Sequence, residues 1–158
     1  MATKIPGETY RGEGLHVPLS ADGQVAAYVW PLRILTIQGQ GCGGPTIGVE
    51  VGNEEIIRFD CHEALGHWHR GGYDRLERPG NSHVDFPEGL KTIDAQVDWA
   101  LQQIKEKCGE LLTEAEQAGA AQLLDESFVQ TGLAAIKAHI GRNSGLRPQA
   151  IAENLIVT

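Results

Sequence analysis

Proline and glycine divide this chain in two. Six of its seven prolines and most of its twenty glycines fall before about residue 90, where they punctuate short apolar runs. Beyond that point both become sparse, and Ala, Gln, Glu and Leu take over. Turn-forming residues among β-branched runs, followed by good helix formers, predict strands first and helices second. The expected class is α+β: an antiparallel sheet over residues 10–87, then a helical C-terminal part packing on one face. At 158 residues the chain suits a single domain, with a β-rich part over 1–90 and a helical part over 91–141. Residues 142–158, which include Pro148, read as a strap, a short helix or a tail. Hydrophobic residues make up 41% of the chain and charged residues 22%, which argues against disorder on a large scale.

Several elements can be placed by pattern. Val25 to Ile37 reads as one or two strands around Pro31, which has no amide hydrogen and belongs at an edge, a bulge or a strand start. Ile47, Val49 and Val51 alternate with smaller or polar residues, then Gly52-Asn53 supplies a turn, and Ile56, Ile57 and Phe59 return. Gly39 to Gly44 reads as a loop before this hairpin. Thr92 is placed to cap a helix whose apolar stripe runs through Ile93, Val97, Ala100, Leu101, Ile104 and Cys108, ending near Gly109. Thr113 and Glu116 have the spacing of a capping box for a second helix. Phe128, Val129, Leu133, Ile136 and Ile140 predict a third, ended by Gly141.

Chemistry concentrates between Arg58 and Gly89, which holds four of the six histidines: His62, His67, His69 and His83. Asp60, Cys61, Glu63, Asp74 and Asp85 lie among them. Residues two apart in a strand share a face, so Asp60 with His62, His67 with His69, and His83 with Asp85 form three pairs. Antiparallel pairing of these short strands brings the pairs together on one sheet. Neutral imidazoles beside a carboxylate are a first shell for a divalent transition metal, with His62, His67, His69 and His83 as candidate ligands. Without metal, the same groups are acid–base catalysts near neutral pH. The catalytic candidates are then His67, His69, His83, Asp60 and Arg58, with Arg58, Arg70, Arg75 and Arg78 available to a phosphate. The plain alternative is a structural or surface role for the cluster.

Other features say less. The glycine run lacks the Gly-Lys-Ser/Thr of a phosphate loop, so it reads as a turn carrying an exposed Cys42. Cys108 and the tryptophans Trp30, Trp68 and Trp99 read as packing residues, Trp68 with a lesser chance to stack on a base.

Ile56-Ile57-Arg58-Phe59-Asp60, then Gly66-His67-Trp68-His69, then His83-Val84-Asp85-Phe86-Pro87-Glu88-Gly89 form an ordered set of motifs. Together they resemble the TumE-type toxins of bacterial toxin–antitoxin pairs, over roughly residues 45 to 108. The resemblance implies a small α+β toxin-like domain with an antitoxin partner, matched at Arg58, Asp60, His67, His69 and His83. Cys61 stands where the family pattern has Asn. The glycine-rich start and the added C-terminal helices also depart from it.

Three functional classes follow: a non-catalytic interaction module with a His-rich face, a toxin-like RNA-cleaving enzyme, and a metal-binding domain. A formal charge of −8, from 13 basic and 21 acidic residues, opposes a general nucleic-acid binder and favours the first class. RNA stays open through a local basic groove. The amphipathic helical part predicts a homo-oligomer or a docked protein partner. Three cysteines at wide spacing, without a CxxC pair, suit a reducing compartment, and no apolar run suggests a leader or a membrane span. The expected location is the cytoplasm, away from membranes.

Overall fold

The computed structural model describes residues 4–72 and 82–157. Seven strands come first: β1 (Thr9–Arg11), β2 (Leu15–Pro18), β3 (Val25–Ile37), β4 (Gln40–Val51), β5 (Glu54–Asp60), β6 (His67–Arg70) and β7 (Ser82–Asp85). A 3-10 turn (Glu63–Leu65) separates β5 from β6. Four helices follow: α1 (Ile93–Glu114), α2 (Ala118–Ala121), α3 (Glu126–Arg142) and α4 (Leu146–Ala152). Among the described residues every strand pairing is antiparallel, in the order β1-β3-β4-β5-β6-β7, with β2 beside β1 along the outer edge of β3. The α+β reading of the sequence therefore holds, as does the hairpin turned at Gly52-Asn53.

Alternation along the strands separates the two faces. Val25, Ala27 and Val29 of β3, Ile47 and Val49 of β4, Ile57 and Phe59 of β5 and Trp68 of β6 join one apolar core with Val97, Ala100, Leu101 and Ile104 of α1 and Ile136 of α3. Trp68 lies flat against Phe59 at 5.3 Å between ring centres, with the Trp99 ring edge-on to both. Trp68 is therefore a packing residue, 4% exposed, and offers no face to a nucleic-acid base.

Proline 31 produces a bulge rather than a break. The β3–β4 register shifts between Trp30 and Arg33, one extra residue standing on β3. Because side chains alternate with a period of two, the insertion reverses parity. Leu32 and Ile34 now face helix α4 and Ile156, while Arg33 turns to the opposite face.

Four expectations fail on tertiary grounds. The glycine run is strand: β4 starts at Gln40, and the turn is confined to Gln38 and Gly39, both at positive φ. Glycine is needed there because other chain segments lie against it. A Cβ on Gly41 would stand 2.3 Å from the Leu155 carbonyl oxygen, and one on Gly44 2.0 Å from that of Cys61. Gly109 does not end α1, which continues to Glu114 because Leu111 and Leu112 extend its buried stripe. Thr113 is no cap, since its hydroxyl donates back to the Gly109 carbonyl within the helix. The second helix is accordingly only Ala118–Ala121. Asp125 starts α3 by accepting from the amides of Ser127 and Phe128. Thr92 does cap α1, accepting from Ala95 at 3.2 Å. The C-terminal residues form α4 and then a strap whose Val157 amide donates to the Gly41 carbonyl. Among the described residues, no helix is long and apolar enough to cross a membrane.

Candidate functional site

The sheet face turned away from α1 and α3 is polar, and strand register explains what stands there. Arg58 is paired with His69, and His69 with His83, in one row across β5, β6 and β7. Asp60 is paired with His67, and His67 with Asp85, in the adjacent row. The three expected pairs thus meet, except that His62 lies past the end of β5, where it precedes the 3-10 turn. One ring nitrogen from each of His67, His69 and His83 lies within 4.8 Å of the other two. His67 and His83 stack with ring centres 4.2 Å apart, and His69 stands edge-on to His67 at 4.9 Å.

Asp60 is the hub of this face. It is 1% exposed, and its Oδ1 accepts from Arg33 Nη1 at 2.6 Å and from the Thr46 hydroxyl at 3.1 Å. Its Oδ2 accepts from Arg58 Nε at 3.0 Å. The same oxygen lies 3.2 Å from His67 Nε2 and 3.5 Å from His69 Nε2. Burial alone would raise the carboxyl pKa, but Arg58 and Arg33, helped by the two imidazoles, hold it well below its ordinary value. Each arginine is held in turn by a second carboxylate. Glu8 takes Nε and Nη2 of Arg33 at 2.7 and 2.9 Å, and Glu55 lies 4.0 Å from Arg58 Nη1. Glu55 also accepts from the Tyr28 hydroxyl, whose ring lies over Gly48.

His67 has an acceptor on each side. Its Nδ1 lies 3.0 Å from the Leu65 carbonyl oxygen and its Nε2 faces Asp60. A carbonyl oxygen can only accept, so Nδ1 carries a proton and the lone pair falls on Nε2. Two arrangements satisfy a lone pair facing a carboxylate: a second proton, or a cation bound at Nε2. Burial lowers the His67 pKa, but the Asp60 contact outweighs it and the net shift is upward. His83, with a side chain 60% exposed on the edge strand, is shifted down by desolvation and by its two neighbouring histidines.

The remaining sequence candidates separate from this cluster. His62 is buried beside Cys42, with Nδ1 3.9 Å from the sulfur, and its ring centre is 6.4 Å from that of His67. Burial pushes its pKa down to about 3, and its Nε2 has no hydrogen-bond partner among the described residues. It is therefore a neutral packing histidine and not a fourth member of the cluster. Cys42 is buried in β4 rather than exposed in a loop, and burial pushes its thiol up to about 11. Arg70 pairs with Glu114 and lies over the Trp68 ring, away from the histidines. Arg75, Arg78 and Asp74 lie outside the described residues.

Arg33, Glu8 and Thr46 are not among the residues that the sequence pattern selects. A signal existed for Arg33, an arginine inside the strongly apolar run Val25 to Ile37. Glu8 and Thr46 carry none, because only the sheet brings them to Asp60.

An open cleft of about 460 Å³ lies over the histidines, bounded by His67, His69, His83, Arg33, Arg58 and Glu8 and by Ile5, Leu35 and Ile37. A slightly larger groove, about 520 Å³, lies between α1 and α3. Its lining mixes aliphatic side chains such as Ile104 and Val129 with Lys105, Glu106 and Glu126, without the convergence of ligating nitrogens found on the sheet.

A family model described as a domain of unknown function (DUF7700) matches residues 24–140, well over half of the chain and the whole of the histidine cluster. No curated protein and no solved structure matches it.

Proposed function

The chain belongs to the DUF7700 family, and we propose that it is a metal-binding domain holding a divalent transition ion through His67, His69 and His83. The observation that carries this reading is the convergence of three imidazole nitrogens within 4.8 Å on the open side of a rigid sheet. Ligands of a tetrahedral ion with bonds of about 2.0–2.1 Å stand roughly 3.3 Å apart. His83, on the exposed edge strand, has the freedom to close that distance. The Leu65 carbonyl fixes the His67 tautomer that leaves Nε2 for an ion, as backbone acceptors do behind metal-bound histidines. Imidazole donors suit zinc, nickel, copper or iron(II) rather than calcium or magnesium. Charge also favours a cation: Glu8, Glu55 and Asp60 set three carboxylates against the guanidiniums of Arg33 and Arg58.

The direct test is elemental analysis of the untagged protein beside a variant carrying His67→Ala and His69→Ala. One equivalent of metal in the former and none in the latter is expected. If dialysed wild-type protein carries no metal and takes up neither zinc nor cobalt on titration, the reading is wrong.

A second reading rests on the same two acceptors around His67. Filled by a proton instead of an ion, His67 is an imidazolium held by Asp60, a general acid beside His69 and His83. This is the toxin-like RNA-cleaving alternative. Cleavage of RNA by metal-free protein, lost in a His67→Ala variant, would establish it. RNA left intact by metal-free protein would dismiss it.

A further inference from the structure

We infer that the cleft over the histidines binds a small organic carboxylate with an apolar body, its oxygen on the ion and its body against Ile5, Leu35 and Ile37. This inference rests on the metal-binding reading and adds the class of ligand.

Charge, hydrogen-bonding capacity and shape each narrow the choice. Three imidazoles are neutral ligands, so they cancel none of a divalent ion's charge. The ion therefore presents its full charge to a fourth ligand, and an anionic oxygen answers it. Among the described residues the arginines of the cleft already answer carboxylates: Arg33 gives Nε, Nη1 and Nη2 to Glu8 and Asp60, and Arg58 gives Nε to Asp60 with Nη1 4.0 Å from Glu55. A polyanion would have to compete with those carboxylates for the forked cation that usually holds one.

The apolar wall follows from strand alternation beyond the Pro31 bulge. Arg33, Leu35 and Ile37 share a face, so the strand that supplies the buried cation continues as two partly exposed aliphatic side chains. Ile5 of the N-terminal segment completes that wall, held where its amide donates to the Tyr10 hydroxyl. The resulting cleft of about 460 Å³ has the histidines and the Arg33–Glu8 pair at one end and aliphatic side chains at the other. Its volume falls in the range of small-molecule sites.

The test uses full-length protein loaded with cobalt, whose visible absorbance responds to a new oxygen ligand, together with calorimetry on zinc-loaded protein. Acetate, butyrate, hexanoate, hexanol and inorganic phosphate are the probes. Affinity should rise roughly fourfold for each methylene buried along the carboxylate series. Hexanol and phosphate should bind more weakly than hexanoate. Leu35→Asn should weaken hexanoate about tenfold while leaving acetate affinity and metal content unchanged. Equal affinity for acetate and hexanoate, preference for phosphate, or no response from metal-loaded protein would overturn this inference and leave the metal reading standing. Equal hexanoate binding by metal-free protein would remove the ion's role as the oxygen's partner. Failure to load any metal would overturn both.

Discussion

Along β4 and β5, neighbouring residues go to opposite worlds. Ile47, Val49, Ile57 and Phe59 meet aliphatic side chains of α1 and α3, whereas Thr46, Arg58 and Asp60 meet one another and the histidines. Both faces are closed to water near their centres: Ile47 is 0% exposed and Asp60 1%. The apolar face gains from removing hydrocarbon from water and tolerates modest changes of shape. The polar face rests on pairing, because each buried charge is costly unless its partner is in place. A charge network of that kind is a poor way to stabilise a sheet, but a good way to hold imidazoles at fixed angles. Its presence on only one side is what singles out that side as the candidate site.

The contrast can be broken most sharply at Asp60. Replacing it as Asp60→Ala removes the buried carboxylate that Arg33 and Arg58 share, leaving Glu8 and Glu55 to answer two buried guanidiniums, and the expected loss is about 3–5 kcal/mol by urea denaturation. A loss below about 1 kcal/mol would mean that the arginines reach other partners and that the hub is dispensable. On the apolar side, Ile104→Ala deletes a fully buried side chain from α1 and should cost about 3 kcal/mol, through transfer and cavity terms. This variant should keep its metal content, whereas Asp60→Ala should weaken metal binding. Equal metal content in both would uncouple the hub from the site.

A finer distinction is a slope with pH, measured on metal-free protein. The folded Asp60 pKa lies well below its ordinary 3.8, and unfolding returns it to about 3.9. A depressed carboxyl contributes stability that is complete above the unfolded pKa and is lost as pH falls through the folded one. Stability should therefore fall between about pH 4 and pH 2 more steeply in wild-type protein than in an Asp60→Asn variant. Ile104→Ala should shift the whole curve without changing that slope. Parallel curves for wild type and Asp60→Asn would show that other carboxyls dominate acid unfolding.

Much of this division was legible in advance. Period-two alternation at Ile47, Val49 and Val51 and the stripe from Ile93 to Cys108 assigned a sheet and a covering helix, because both depend on local periodicity alone. The spacing of His67 with His69 placed two imidazoles on one face for the same reason. What local pattern misjudged were residues answering to distant parts of the chain. The glycines at 41 to 44 look like a loop, yet they keep side chains out of the way of Leu155, Ile156 and Cys61. Gly109 looks like a helix end, yet the core beyond it carries α1 onward. His62 has the spacing of a site residue relative to Asp60, but the chain leaves the sheet at Cys61 and the parity rule ends with it.

The sequence by itself determined the order of strands and helices, the hairpin at Gly52-Asn53, the cap at Thr92 and the group of histidines from which any site would be drawn. These depend on dihedral preference and on periodicity over a few residues. Only the tertiary structure decided that three of those four histidines converge, that Asp60 sits between two arginines, and that Glu8 and Thr46 join them. Those relations run across strand pairings and a bulge at Pro31, where one added residue turns Arg33 from the helix side to the histidine side. Local sequence encodes which faces a strand can have; which groups share a face across the sheet is set by register, and register is a property of the folded whole.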